Sequence, residues 1–135
     1  MAADSMFGPI DIAISGMRAQ NTNMSAIYAN VANARTADAG NGQPYRRVEA
    51  ILKKGNDDAI SPVEVDRIAQ DTSPFMELYE PGHPYANSDG YVRMPNVSLP
   101  KELVNLGIAT RAYQANVAML RRYQQIAESA LELLR

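Results

Sequence analysis

Two long stretches of this chain carry residues at alternating spacings of three and four, and the segment between them does not. Near one end Ile10, Ala13, Met17, Gln20, Met24, Ile27, Val31 and Ala34 follow that rhythm. Near the other Leu103, Leu106, Thr110, Tyr113, Val117, Leu120, Gln124, Ala127, Leu131 and Leu134 follow it. Such a rhythm keeps one seam of a helix turned towards a partner helix. In a chain of 135 residues two such seams leave room for one helical core and a short insert.

The pattern predicts a first helix from about Ser5 to about Arg35, with Asp4 or Ser5 as its cap and Pro9 at a tolerated early position. It predicts a second helix from Pro100 to the last residue. At 1.5 Å per residue these span roughly 45 and 54 Å. The expected fold is mainly α with a small β-rich insert. Residues 1–36 and 99–135 form long terminal helices packed as an antiparallel coiled coil. Residues 37–98 form an outward-facing insert of short antiparallel strands and Pro/Gly-rich loops.

Within the insert the period falls to two. Val48, Ala50 and Leu52 alternate with Arg47, Glu49 and Lys53; Val63 and Val65 with Glu64 and Asp66; Phe75, Glu77 and Tyr79 with Met76, Leu78 and Glu80. Three half-buried strands follow, with turns at 54–58 and 70–73. Residues 81–98 read as an irregular loop, because Pro81-Gly82-His83-Pro84, Asp89-Gly90 and Pro95 punctuate them.

The second helix has a further stripe: Ile108, Ala112, Met119, Ile126, Ala130 and Leu133. Two stripes cover more than half its surface, and a monomer needs one apolar face. The first helix also carries Ile14 beside its seam and is rich in Asn, a weak helix former. Such helices need neighbours, and both are expected to be partly disordered in the free monomer. Assembly residues are therefore sought at Ile10, Ile14, Met17, Met24, Ile27 and Val31, and at Leu103, Leu106, Thr110, Tyr113, Val117, Met119, Leu120 and Ile126.

Composition excludes several chemistries. There is no cysteine and a single histidine, His83, so thiolate metal sites and cysteine nucleophiles are absent and metal-ligand spacings cannot be built around His83. Asp57-Asp58, Asp89, Glu77 and Glu80 fall in no calcium-loop or acid–base frame. Net charge is -2, which gives no basic stripe for nucleic acid. No cofactor, metal, small-molecule substrate or catalytic residue is expected, and no membrane-spanning run occurs. The first eleven residues lack the basic flank and apolar core of a cleaved signal peptide.

Three segments carry a resemblance. Ser15-Gly16-Met17-Arg18-Ala19-Gln20, followed by 28–36 with Asn30 and Asn33, resembles the N-terminal motif of the bacterial flagellar axial family of rod and hook proteins. His83-Pro84 and the string Gly90-Tyr91-Val92-Arg93-Met94-Pro95-Asn96-Val97 resemble the central loop of its proximal-rod FlgC branch. Residues 98–120, with Tyr113-Gln114-Ala115-Asn116-Val117, resemble the family's C-terminal motif; 121–135 depart from it and are more charged. The resemblance implies a structural subunit of the basal-body rod in the periplasm. It implies further copies of the chain and FliE-, FlgB-, FlgF- and FlgG-type rod proteins as partners. It also implies passage through the type III export apparatus without a cleaved signal peptide, and terminal helices that line the export channel. The competing reading is a soluble helical-hairpin adaptor that binds one partner helix.

Overall fold

The computed structural model describes residues 4–55 and 61–134. Helix α1 covers Asp4–Ala32 and helix α2 covers Leu99–Leu133. Between them lie β1 (Val48–Lys54), β2 (Val63–Gln70), β3 (Met76–Tyr79) and β4 (Tyr91–Met94). The capping role of Asp4 or Ser5, the Asp57-Asp58 pair and Arg135 fall outside what can be described.

The helices lie side by side and run in opposite directions. Asn30 of α1 meets Glu102 of α2, Met24 meets Thr110, and Gly16 meets Asn116. The face that α1 turns inward is built of small residues: Ala13, Gly16, Ala19 and Ala26 are all buried, with Ile27 and Asn30 at its far end. At Gly16 the absence of a side chain lets α1 approach Asn116 of α2 closely. Pro9 sits within the first turns of α1 and is exposed. Pro100 opens α2, where its missing amide proton had no partner to lose.

The strands form two separate antiparallel pairs, β1 with β2 and β3 with β4. β1 and β2 both lean on α1, which supplies the support that a two-stranded ribbon needs. Two expectations for the insert are corrected here. Among the described residues there are four strands and not three, because Tyr91–Met94, expected to be irregular, pair with Met76–Tyr79. Gly90 resolves the conflict: its φ of +81° absorbs the turn immediately before the strand, so the glycine shapes an entry rather than a break. In addition Gln70 belongs to β2, and Phe75 lies just before β3.

The inward side of β1 also differs from simple alternation. Leu52, expected inward, is exposed and Ile51 is half-buried, while a bulge opposite them leaves Asp66 as an extra residue of β2 and turns Ile68 outward. Arg47, read as an outward residue, is buried at 7% exposure.

A Cβ at Gly90 would lie 2.8 Å from the Tyr79 ring and 3.1 Å from Pro81. Left-handed backbone adds to that clash, and Gly90→Ala is expected to cost about 1–3 kcal/mol. Loss of amide protection confined to β3 and β4 in hydrogen exchange would show it; unchanged protection would remove the turn from the account.

Candidate assembly interface

Four parts of the chain meet at a buried polar joint where the helices join the insert. Asn30 and Glu102 are both 0% exposed. The Asn30 amide donates to the Val48 carbonyl at 2.8 Å and to Glu102 Oε2 at 3.0 Å. Its carbonyl oxygen accepts from the Val48 amide at 2.9 Å and from the Tyr45 hydroxyl at 3.1 Å. Arg47 Nε donates to Glu102 Oε1 at 2.7 Å, and its Nη1 reaches Glu49 at 3.0 Å and Asp71 at 3.5 Å. Asn96 closes the joint from the loop before α2. It accepts from the Arg47 amide at 2.8 Å and donates to the Asp71 and Ser73 carbonyls. No described buried side-chain nitrogen or oxygen lacks a partner, and complete satisfaction is what makes such a cluster tolerable in a core.

The charges respond accordingly. Burial works against the charged form of Arg47, but hydrogen bonds to Glu102 and Glu49 and the charge of both carboxylates outweigh it, so its pKa lies above the ordinary value. Burial, with the Glu102 charge beside it, raises the Tyr45 hydroxyl. Asp71 is held below the usual carboxylate range by hydrogen bonds from the Ser73 amide and hydroxyl and then by Arg47. Asp38 is lowered by the amides of Gly40 and Gly42. Neither Arg47 nor Glu102 was singled out by sequence pattern. Glu102 stands beside the Leu103 seam position, and only its place opposite Asn30 distinguishes it from a solvated first-turn acid.

The assembly residues expected from sequence divide into two groups. Ile27 is buried, and Ile10, Ile14, Met17, Met24, Val31, Leu106, Thr110, Tyr113, Val117 and Leu120 are half-buried. Leu103, Met119 and Ile126 are all at least 60% exposed, as is Ile108 of the further stripe. The buried positions of α2 are Glu102 and Ala109, one residue round from the expected Leu103 and Thr110. Beyond Tyr123 every described residue of α2 is exposed, with Leu133 at 88%. A second apolar surface lies at the opposite end, where Ala34, Met76, Leu78, Met94, Val97 and Leu99 line an open groove of about 600 Å³.

The motif residues hold the fold as well as decorate it. Ser15 accepts from the Val63 amide at 3.0 Å, tying α1 to β2. Gly16 is buried against Asn116 of α2, Ala19 is buried, Met17 is half-buried, and Gln20 accepts from Asn23. Asn33 donates to the Ala29 carbonyl and accepts from Thr36, closing the end of α1. His83 accepts the Tyr85 amide at its Nδ1, while Pro84 and Gln114 are exposed. Tyr91 packs edge-on against Tyr79, Pro95 is buried, and Asn116 donates to Ala112. Among the described residues no three His, Asp or Glu side chains gather as a metal-holding group, and no helix is long and apolar enough to cross a membrane.

Residues 88–133 match the family model described as flagellar basal body rod FlgEFG protein C-terminal. The chain is similar to the flagellar basal-body rod protein FlgC of Salmonella typhimurium, 35% identical across 91% of this chain and 93% of that protein. It is also similar to that of Yersinia enterocolitica, 35% identical across 96% and 98%. The Bacillus subtilis protein is 33% identical across 94% and 97%.

Proposed function

The chain belongs to the FlgC family of flagellar basal-body rod proteins, and on that premise we propose how its surfaces serve as a structural subunit of the rod. The terminal helices form the inner, coiled-coil layer of a helical tube around the export channel, and the insert faces outward. One observation carries this reading. α1 covers one side of α2, yet Leu103, Ile108, Met119 and Ile126 on α2 remain at least 60% exposed. Ile108, Met119 and Ile126 recur on one side of the helix, and exposed apolar surface of that kind marks a protein-binding face.

Heterologous contacts that do not close on themselves give an open helical array. Further copies of the chain and rod proteins of the FliE, FlgB, FlgF and FlgG types supply the neighbours, and the type III apparatus delivers the chain to the periplasm. The end of α2 beyond Tyr123, exposed throughout in the single chain, gains its full order only against them.

Density maps of basal bodies isolated from the source bacterium, with this chain tagged, test the proposal. The tag is expected on the outside of the proximal rod and absent from the hook. Basal bodies with a complete rod and no trace of the chain would overturn it.

A further inference from the structure

Ile10, Met17, Met24 and Val31 recur along α1 at heptad spacing, and such a repeat would accept α2 displaced by one heptad. Two contacts distinguish the native alignment. At one end Asn30 donates to Glu102 inside the polar joint. At the other, Gly16 faces the Asn116 side chain so closely that a Cβ would lie 2.8 Å from its amide nitrogen. That amide donates to the Ala112 carbonyl at 2.9 Å, so it is a held wall and not a free rotor.

Fourteen residues separate Gly16 from Asn30, and fourteen separate Glu102 from Asn116. The two contacts therefore stand two heptads apart on both helices. A slip of one heptad in one direction brings Asn23 opposite Glu102, another asparagine that could replace Asn30, but it sets Pro9 against the Asn116 wall. A slip the other way sets Asn23 against the wall and takes Asn30 away from Glu102. Both slips set a side chain against the Asn116 wall, and both carry Glu102 away from Arg47, which stays with the sheet, so each contact opposes either slip by itself.

We propose that Gly16–Asn116 and Asn30–Glu102–Arg47 act together as a two-point register lock, positioning α2 on α1 and on the sheet that Ser15 and Asn30 tie to α1. Buried polar groups serve best in this role, as determinants of register rather than of stability. One heptad of slip moves the end of α2 by about 10.5 Å, which would displace its exposed apolar residues from any regular repeat. The inference does not rest on the assembly reading, because register is measured on the isolated chain.

The chain has no cysteine, so disulfide trapping is clean. Met24 Sδ lies 3.8 Å from Thr110 Oγ1; Met24→Cys with Thr110→Cys reports the native register. Met17→Cys or Val31→Cys with Thr110→Cys reports a slip of one heptad either way. Three backgrounds are compared by cross-linking and circular dichroism: Asn116→Ala, Arg47→Met with Glu102→Leu, and all three changes together. Only the triple background is expected to form slipped disulfides, rising about tenfold while helicity is kept. A helical triple variant that still traps only the native pair would overturn the proposal and leave register to Asn96. Slip in either partial background would overturn its two-point form. Loss of helicity in the triple variant would show that the contacts supply stability, which also overturns it.

Discussion

Arg47→Met is expected to destabilise the fold by about 3–5 kcal/mol, because it strands a fully buried carboxylate without its cation. Glu102 is 0% exposed, and Arg47 is the cation within ion-pair distance of it among the described residues. After the substitution Glu102 keeps one hydrogen bond, from Asn30. Against a total stability of about 5–15 kcal/mol for a domain, that loss leaves little in reserve.

The converse change is gentler. Glu102→Leu leaves Arg47 beside Glu49 and Asp71, which are part-exposed and stay within 3.0 and 3.5 Å. Its expected cost is about 1–3 kcal/mol, that of a buried donor left short of one partner. Arg47→Met combined with Glu102→Leu removes both charges and is expected within about 1 kcal/mol of the parent, since apolar pairs of similar volume often replace buried ion pairs at no loss. Urea unfolding followed by circular dichroism gives the order: Arg47→Met worst, Glu102→Leu intermediate, the pair near the parent. A paired variant as unstable as Arg47→Met, or Glu102→Leu as the worse single change, would mean the joint is not an ion pair held in a low-dielectric core.

The joint also marks the boundary of what the sequence makes legible. Long-range periodicity is a property of a single element, so both helices and the strands at 48 and 63 could be read directly. The joint depends on which residues meet across separations of 55 and 72 positions, and nothing local in Arg47 or Glu102 announces that meeting. Leu52 shows the same limit at short range. Its position in the alternation pointed inward, yet near the end of β1 it is 38% exposed. The fourth strand was hidden for a different reason: Gly90 and Pro95 bracket it, and each is a turn residue by type. The helix seams were legible in their rhythm but not in their phase. Buried Glu102 and Ala109 lie one step round from Leu103 and Thr110, because Asn30 and Arg47 draw Glu102 into the joint. What did survive from pattern to structure is the surplus of apolar surface on α2.

That surplus sets up the second large effect. Met119→Asp with Ile126→Asp is expected to abolish rod assembly and swimming while the monomer fold stays within about 0.5 kcal/mol of the parent. Both side chains are more than 60% exposed in the single chain, at 63% and 67%, so water already surrounds the new carboxylates and folding is not asked to bury them. Assembly would be. In a helical array each copy meets the same surface on its neighbours, so an unpaired carboxylate forced into an apolar contact costs several kcal/mol and recurs at every subunit. Val117→Asp, on the expected seam, is also expected to block assembly, but Val117 is half-buried beside Asn116, and a charge there disturbs the helix contact and the outer face together. Met119 and Ile126 separate the two. Thermal melting of the purified double variant, with soft-agar swimming of the source bacterium carrying it as its sole copy, reads both arms. Unchanged melting with lost swimming is the expected result. Normal swimming would move the assembly face elsewhere on the chain, and a collapsed melting curve would show that these side chains support the monomer itself.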